Sequence, residues 1–147
     1  MAAKTIDDKD DHSNAYIDAL VGDGWHWSGT ITYFFDNDVS IWTAAEKAAY
    51  RSALQSWANV ANITFQEVFV ESEANLVEHS EPSSNMPGDA GQHATPNMAT
   101  KTHVAQGRFN YEAYGNDKIP TYNEAGLVKG GYGYETFVHE LGHALGL

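Results

Sequence analysis

The chain has 147 residues, 42% of them hydrophobic and 19% charged, which is enough for one domain with a buried core. Eight basic residues stand against twenty acidic ones, a net charge of −12, which excludes the basic footprint of a nucleic-acid binder and disfavours an anionic membrane surface. There is no cysteine, so disulfides and thiolate metal sites are excluded, and any zinc must be held by His and carboxylate.

No apolar stretch reaches the roughly 20 residues of a membrane-spanning helix. Residues 1–14 are polar and Asp-rich, lack the apolar run of a secretory signal, and read as a mobile acidic lead-in. Residues 16–21 predict a short helical turn, and Gly22-Asp23-Gly24 marks a bend. Thr30-Ile31-Thr32-Tyr33-Phe34-Phe35 is β-branched and aromatic with period two, which predicts a strand. Thr43-Ala44-Ala45-Glu46 is a capping box: the Thr hydroxyl can accept from the N3 amide while Glu46 reaches back to the N-cap amide. Ala45, Ala49, Ala53, Trp57 and Val60 then recur at helical spacing, predicting a helix over 44–59 whose small-residue face can lie close against a sheet.

Residues 63–68 alternate and predict a second strand; 74–78 and 104–110 predict two more. The stretch 80–102 is rich in Ser, Pro, Gly, Asn and Thr and reads as a long loop with room for an extended edge segment; 115–133 is again loop-like. The four tryptophans, Trp25, Trp27, Trp42 and Trp57, read as packing anchors. The order strand, helix, strands, loop, helix predicts an α/β (α+β) fold, a mixed sheet backed by helices.

The chemistry is concentrated in residues 135–147, predicted as a helix with Phe137, Leu141, Ala144 and Leu145 on its apolar side. His139 and His143 are four apart, so their imidazoles stack on one face and can ligate one zinc ion. Glu140 lies about 100° around the helix, close enough to serve as general base without being a ligand. Zinc acidifies a water, the carboxylate takes its proton, and the same proton can pass to a leaving amine. His-Glu-x-x-His is a specific pattern for this chemistry.

The passage His139-Glu140-Leu141-Gly142-His143-Ala144-Leu145-Gly146-Leu147 resembles the active-site helix of the serralysins, secreted bacterial proteases of the metzincin group. Tyr132-Gly133-Tyr134-Glu135-Thr136-Phe137 is similar to that family's lead-in, and residues 54–65 to its helix-to-strand passage. The resemblance covers about residues 16–78 and 130–147. It implies a zinc-dependent endopeptidase acting on protein or peptide substrates through metal-activated water, with His139 and His143 as ligands and Glu140 as base. It implies the upper subdomain of a metzincin: a mixed twisted sheet, one backing helix and a C-terminal active-site helix. Metzincins bend at a Gly in the position of Gly146 to bring a third His, which would fall two residues past Leu147. Residues 15–147 are therefore expected to be an incomplete, inactive piece of a catalytic domain. Calcium is expected only in the part not present.

The resemblance also makes Gly91, Gln92, His93 and Ala94 the candidate edge strand that pairs with substrate. It implies a secreted monomer when complete and allows a proteinaceous inhibitor. His79, Glu81, His93 and His103 echo, with shifted spacing, a structural zinc site of the related matrixins; scattered histidines are the commoner meaning of such a set. The rival reading is a non-catalytic pseudopeptidase fragment acting as a binding module. A zinc-hydrolase clan with a distant Glu as third ligand is disfavoured by Gly146.

Overall fold

The computed structural model describes residues 4–7, 25–96, 104–113 and 121–147. Two strands, β1 (Lys4–Asp7) and β2 (Trp25–Ser28), form an antiparallel ribbon. Part of the expected lead-in is thus a strand, because Lys4–Asp7 finds a partner in a segment that begins 21 residues further on. The helical turn expected over 16–21 lies outside the described residues.

The main sheet has five strands: β3 (Thr30–Asp36), β4 (Thr64–Glu67), β5 (Leu76–Glu81), β6 (Gly91–His93) and β7 (Ala105–Asn110), in the spatial order β4-β3-β5-β7-β6. All neighbours are parallel except β6, which runs antiparallel to β7 at one edge. This is the mixed α/β architecture that the alternation predicts. The strand expected at 74–78 begins and ends later, because its second half, His79-Ser80-Glu81, is polar yet carries ladder pairs to β7.

Helix α1 (Ala44–Ala58) starts at the expected capping box: Thr43 Oγ1 accepts from the Glu46 amide at 3.2 Å, and the Thr43 amide donates to Glu46 Oε2 at 2.7 Å. Ala49 and Ala53 are buried, whereas Ala45 and Val60 are exposed. Ala45 sits in the first turn, facing away from the sheet, and Val60 lies past the helix end. Helix α2 runs from Tyr132 to Leu145, three residues earlier at its start than the periodicity predicts. Tyr132-Gly133-Tyr134 looks loop-like by composition, but Tyr134 is buried and its hydroxyl meets Ser56 Oγ at 2.8 Å. Gly146 caps the other end at φ 104°, a left-handed conformation that glycine adopts at little cost.

Both helices cover one face of the main sheet and pack on each other. The core between them is aromatic. Tyr50 of α1 meets Tyr33, Phe35, Phe109 and Phe137 with ring centroids 5.3–6.1 Å apart, mostly edge to face. Three indoles act as the expected anchors, each donating its N–H to a main-chain carbonyl: Trp27 to Ala144 (2.6 Å), Trp42 to Glu78 (3.0 Å) and Trp57 to Val138 (3.0 Å). Trp25 begins β2. Among the described residues no helix is long and apolar enough to cross a membrane.

The alanines of α1 yield a contrast that can be measured. Ala53 is fully buried, so Ala53→Leu overpacks the interface and should cost about 1–3 kcal/mol. Ala45→Leu, on the exposed side, should change stability by less than about 0.5 kcal/mol. Urea denaturation of the two variants reads the difference.

Candidate active site

Helix α2 presents its chemistry through its phase. Phe137, Leu141 and Ala144 are fully buried. His139 lies on the exposed side and His143 is half-buried. Their rings are neighbours, with centroids 4.8 Å apart and planes at 89°. His143 Nδ1 lies 2.9 Å from the Leu147 carbonyl oxygen. An N–H donated there leaves Nε2 as the ring's lone-pair nitrogen, the tautomer a metal ligand needs. The structure therefore brings the two predicted ligands together.

Glu140 stands beside them at only 7% exposure. Burial pushes its carboxyl above the ordinary range, against the opposing pull of His139, His143, His93 and a hydrogen bond from the His93 amide. A carboxylate with a raised pKa is better matched to taking and returning a proton near neutral pH. With Gly91, Tyr132, Thr136 and His139 it lines an open cleft of about 360 Å³.

The predicted edge strand meets this cleft at Gly91. Ala94 donates to the Gln106 carbonyl and Asn110 to the Ala90 carbonyl, so the even-numbered residues bond inward to β7. By alternation, the main-chain groups of Gly91 and His93 point to the free edge. The strand closes on Glu140 at Gly91. Gly91 is needed for this proximity: a Cβ there would lie 2.7 Å from Thr136 Cγ2 and 2.8 Å from Glu140 Cγ.

Sequence reasoning missed one feature of the site. The His93 side chain is fully buried, with Nε2 at 3.1 Å from Glu78 Oε1 and Nδ1 at 2.8 Å from the Ala94 carbonyl oxygen. The signals were available: a Glu directly after the apolar Leu76-Val77 in a strand, and a Gly at 107 in the middle of a strand, a common mark of close approach. Burial works against charging His93, but Glu78, and to a lesser degree the Ala94 carbonyl and Glu140, outweigh it and leave its pKa raised.

Among the described residues the remaining histidines do not form a second centre. His79 Nδ1 pairs with Asp36 Oδ2 at 2.7 Å, and Glu81 is engaged with Asn85 and Arg108. His103 lies outside the described residues. Among the described residues no three His, Cys, Asp or Glu side chains are gathered as a metal site. His139 and His143 thus fit zinc as a pair, short of the three protein ligands a catalytic centre uses.

No family model matches the chain. It is 34% identical over 111 residues to a serralysin of Photorhabdus laumondii, covering 76% of this chain and 21% of that protein. It is 35% identical over 108 residues to serralysin A of Dickeya chrysanthemi (71% and 21%), and 31% identical over 108 residues to metallopeptidase AprA of Pseudomonas marginalis (74% and 21%). The chain thus spans about a fifth of the length of the curated relatives it matches. Among solved structures, myroilysin superposes with a TM-score of 0.52 at 20% identity, covering 80% of this chain and 48% of that one, and so shares the fold.

The raised His93 pKa carries a signed pH prediction. A histidine stabilised in its charged form contributes fully below its unfolded value of about 6.5, and the contribution is lost as pH rises through the higher folded value. Stability by urea denaturation should therefore decline as pH rises from about 6.5 through the folded value and level off above it. In His93→Gln the decline should be shallower.

Proposed function

We propose that this chain, which belongs to the serralysin-type metzincins, provides part of a zinc-dependent endopeptidase centre: His139 and His143 hold the metal and Glu140 is the general base. The observation that carries this reading is the juxtaposition on one helix of two neighbouring imidazoles and a buried, proton-accepting carboxylate, with His139 and Glu140 bordering a cleft that the edge strand meets at Gly91.

Zinc held there would polarise the scissile carbonyl and acidify the attacking water. The chain's own groups have distinct tasks. His143 is oriented by its bond to the Leu147 carbonyl. Glu140, buried and flanked by imidazoles, accepts a proton at its carboxylate and passes it to the departing amine. The edge Gly91-Gln92-His93-Ala94 offers main-chain groups to an extended peptide, with Gly91 and His93 facing outward, the geometry of strand addition. A third ligand is required beyond His139 and His143. Protein or peptide substrates and secretion belong to the same reading. The non-catalytic alternative has no observation in its favour.

Glu140→Gln separates base from ligand. In the zinc-loaded enzyme the variant should retain its metal while peptide hydrolysis falls by roughly 100-fold or more. His143→Ala should lose the metal itself. Zinc content by atomic absorption, measured beside casein hydrolysis, distinguishes the roles; loss of zinc from Glu140→Gln would show that Glu140 is a ligand or a structural group.

A further inference from the structure

We propose that Glu78 and His93 are positioning residues: a buried acid–imidazole pair that spans β7 and holds the edge strand against Glu140, where Gly91 packs on its side chain. The inference rests on the reading of Glu140 as the base.

The pairing register places Glu78 of β5, Gly107 of β7 and His93 of β6 in one row across the sheet. A side chain on the middle residue would stand between the two outer ones and block their contact. Gly107 removes the obstacle: a Cβ there would overlap Glu78 Oε2 and lie 2.6 Å from His93 Cδ2. Glu78 Oε1 and His93 Nε2 meet through this gap at 3.1 Å, both side chains fully buried.

The imidazole has acceptors on both sides, a carboxylate at Nε2 and the Ala94 carbonyl at Nδ1. Neutral histidine has one N–H, so only the charged imidazole can donate to both acceptors at once. Glu78 also faces Tyr50 from α1, and His93 faces Glu140 from α2. Neither Glu78 Oε2 nor the Tyr50 hydroxyl has a hydrogen-bond partner among the described residues.

Such a pair is a poor way to stabilise a core. Two charges taken out of water gain little over well-packed apolar side chains, and replacing both partners together is often neutral or stabilising. What the pair supplies is a fixed distance. Strand β6 has three residues and one ladder partner. The His93 ring ties it from below, through β7, to the centre of the sheet. The strand is then held against Glu140 at Gly91, and the main-chain groups of Gly91 and His93 keep their outward aim.

The test replaces both partners at once, Glu78→Leu with His93→Leu, and compares Glu78→Gln, which keeps an acceptor for the imidazole. Amide hydrogen exchange by NMR on the metal-free chain should show exchange at 91–94 faster by about tenfold or more in the double variant, with β3 and β5 still protected and urea stability held or raised. Glu78→Gln should keep β6 close to wild-type protection. In the zinc-loaded enzyme, turnover of a peptide substrate should fall in the double variant and recover in Glu78→Gln. Unchanged exchange at 91–94, or faster exchange with unchanged turnover, overturns the inference. So does a stability loss spread over the whole sheet, which would assign the pair to the core. A wild type with its third zinc ligand supplied that cleaves no peptide while β6 responds as expected refutes the peptidase reading and leaves the strut standing.

Discussion

The burial of Phe137 is the contact on which the rest of the site depends. Its ring lies 5.0–6.0 Å from those of Trp42, Tyr50, Phe109 and Tyr122, and it is followed at helical spacing by the fully buried Leu141 and Ala144. Each aromatic pairing adds about 0.5–1.5 kcal/mol to the burial of the ring itself, far more than a surface histidine could return by turning inward. The helix therefore has one stable rotation. His139 follows Phe137 by two residues, about 200° around the axis, and faces out. Glu140 follows by three, about 60° short of a full turn, and falls at the border of the buried face. Its partial desolvation and raised pKa are consequences of that angle.

Rotation alone does not place a helix; it must also be held along its axis. Two indoles do this from different elements, Trp57 of α1 at Val138 and Trp27 of β2 at Ala144. The carbonyls they hold are six residues apart, about 9 Å along the helix. With α2 fixed, the distance from Glu140 to the edge strand depends on the sheet. There the absence of side chains at Gly91 and Gly107 matters as much as the presence of Glu78 and His93.

The legible part of this arrangement was the local part. His139, Glu140 and His143 could be assigned because their spacing on a helix dictates their neighbourhood, and α1 because Thr43 and Glu46 form a box within four residues. The alternation of Thr30-Ile31-Thr32-Tyr33 was enough for β3. Non-local features were hidden. Lys4–Asp7 becomes a strand only through Trp25–Ser28, and Tyr132 joins α2 because Tyr134 reaches Ser56. Glu78 and His93 are fifteen residues apart, and their meeting depends on which strand lies between them and on that strand having a Gly at the crossing. Spacing along one chain carries no such information.

The central claim is that the phase of α2 makes His139 and His143 a convergent pair of zinc ligands. X-ray absorption spectroscopy of the zinc-loaded chain tests it most directly, since imidazole scattering counts the histidines on the metal. Two imidazoles with Zn–N near about 2.0–2.1 Å are expected, falling to one in His143→Ala. A first shell of oxygen donors, or one whose imidazole count is the same in His143→Ala, would contradict the account.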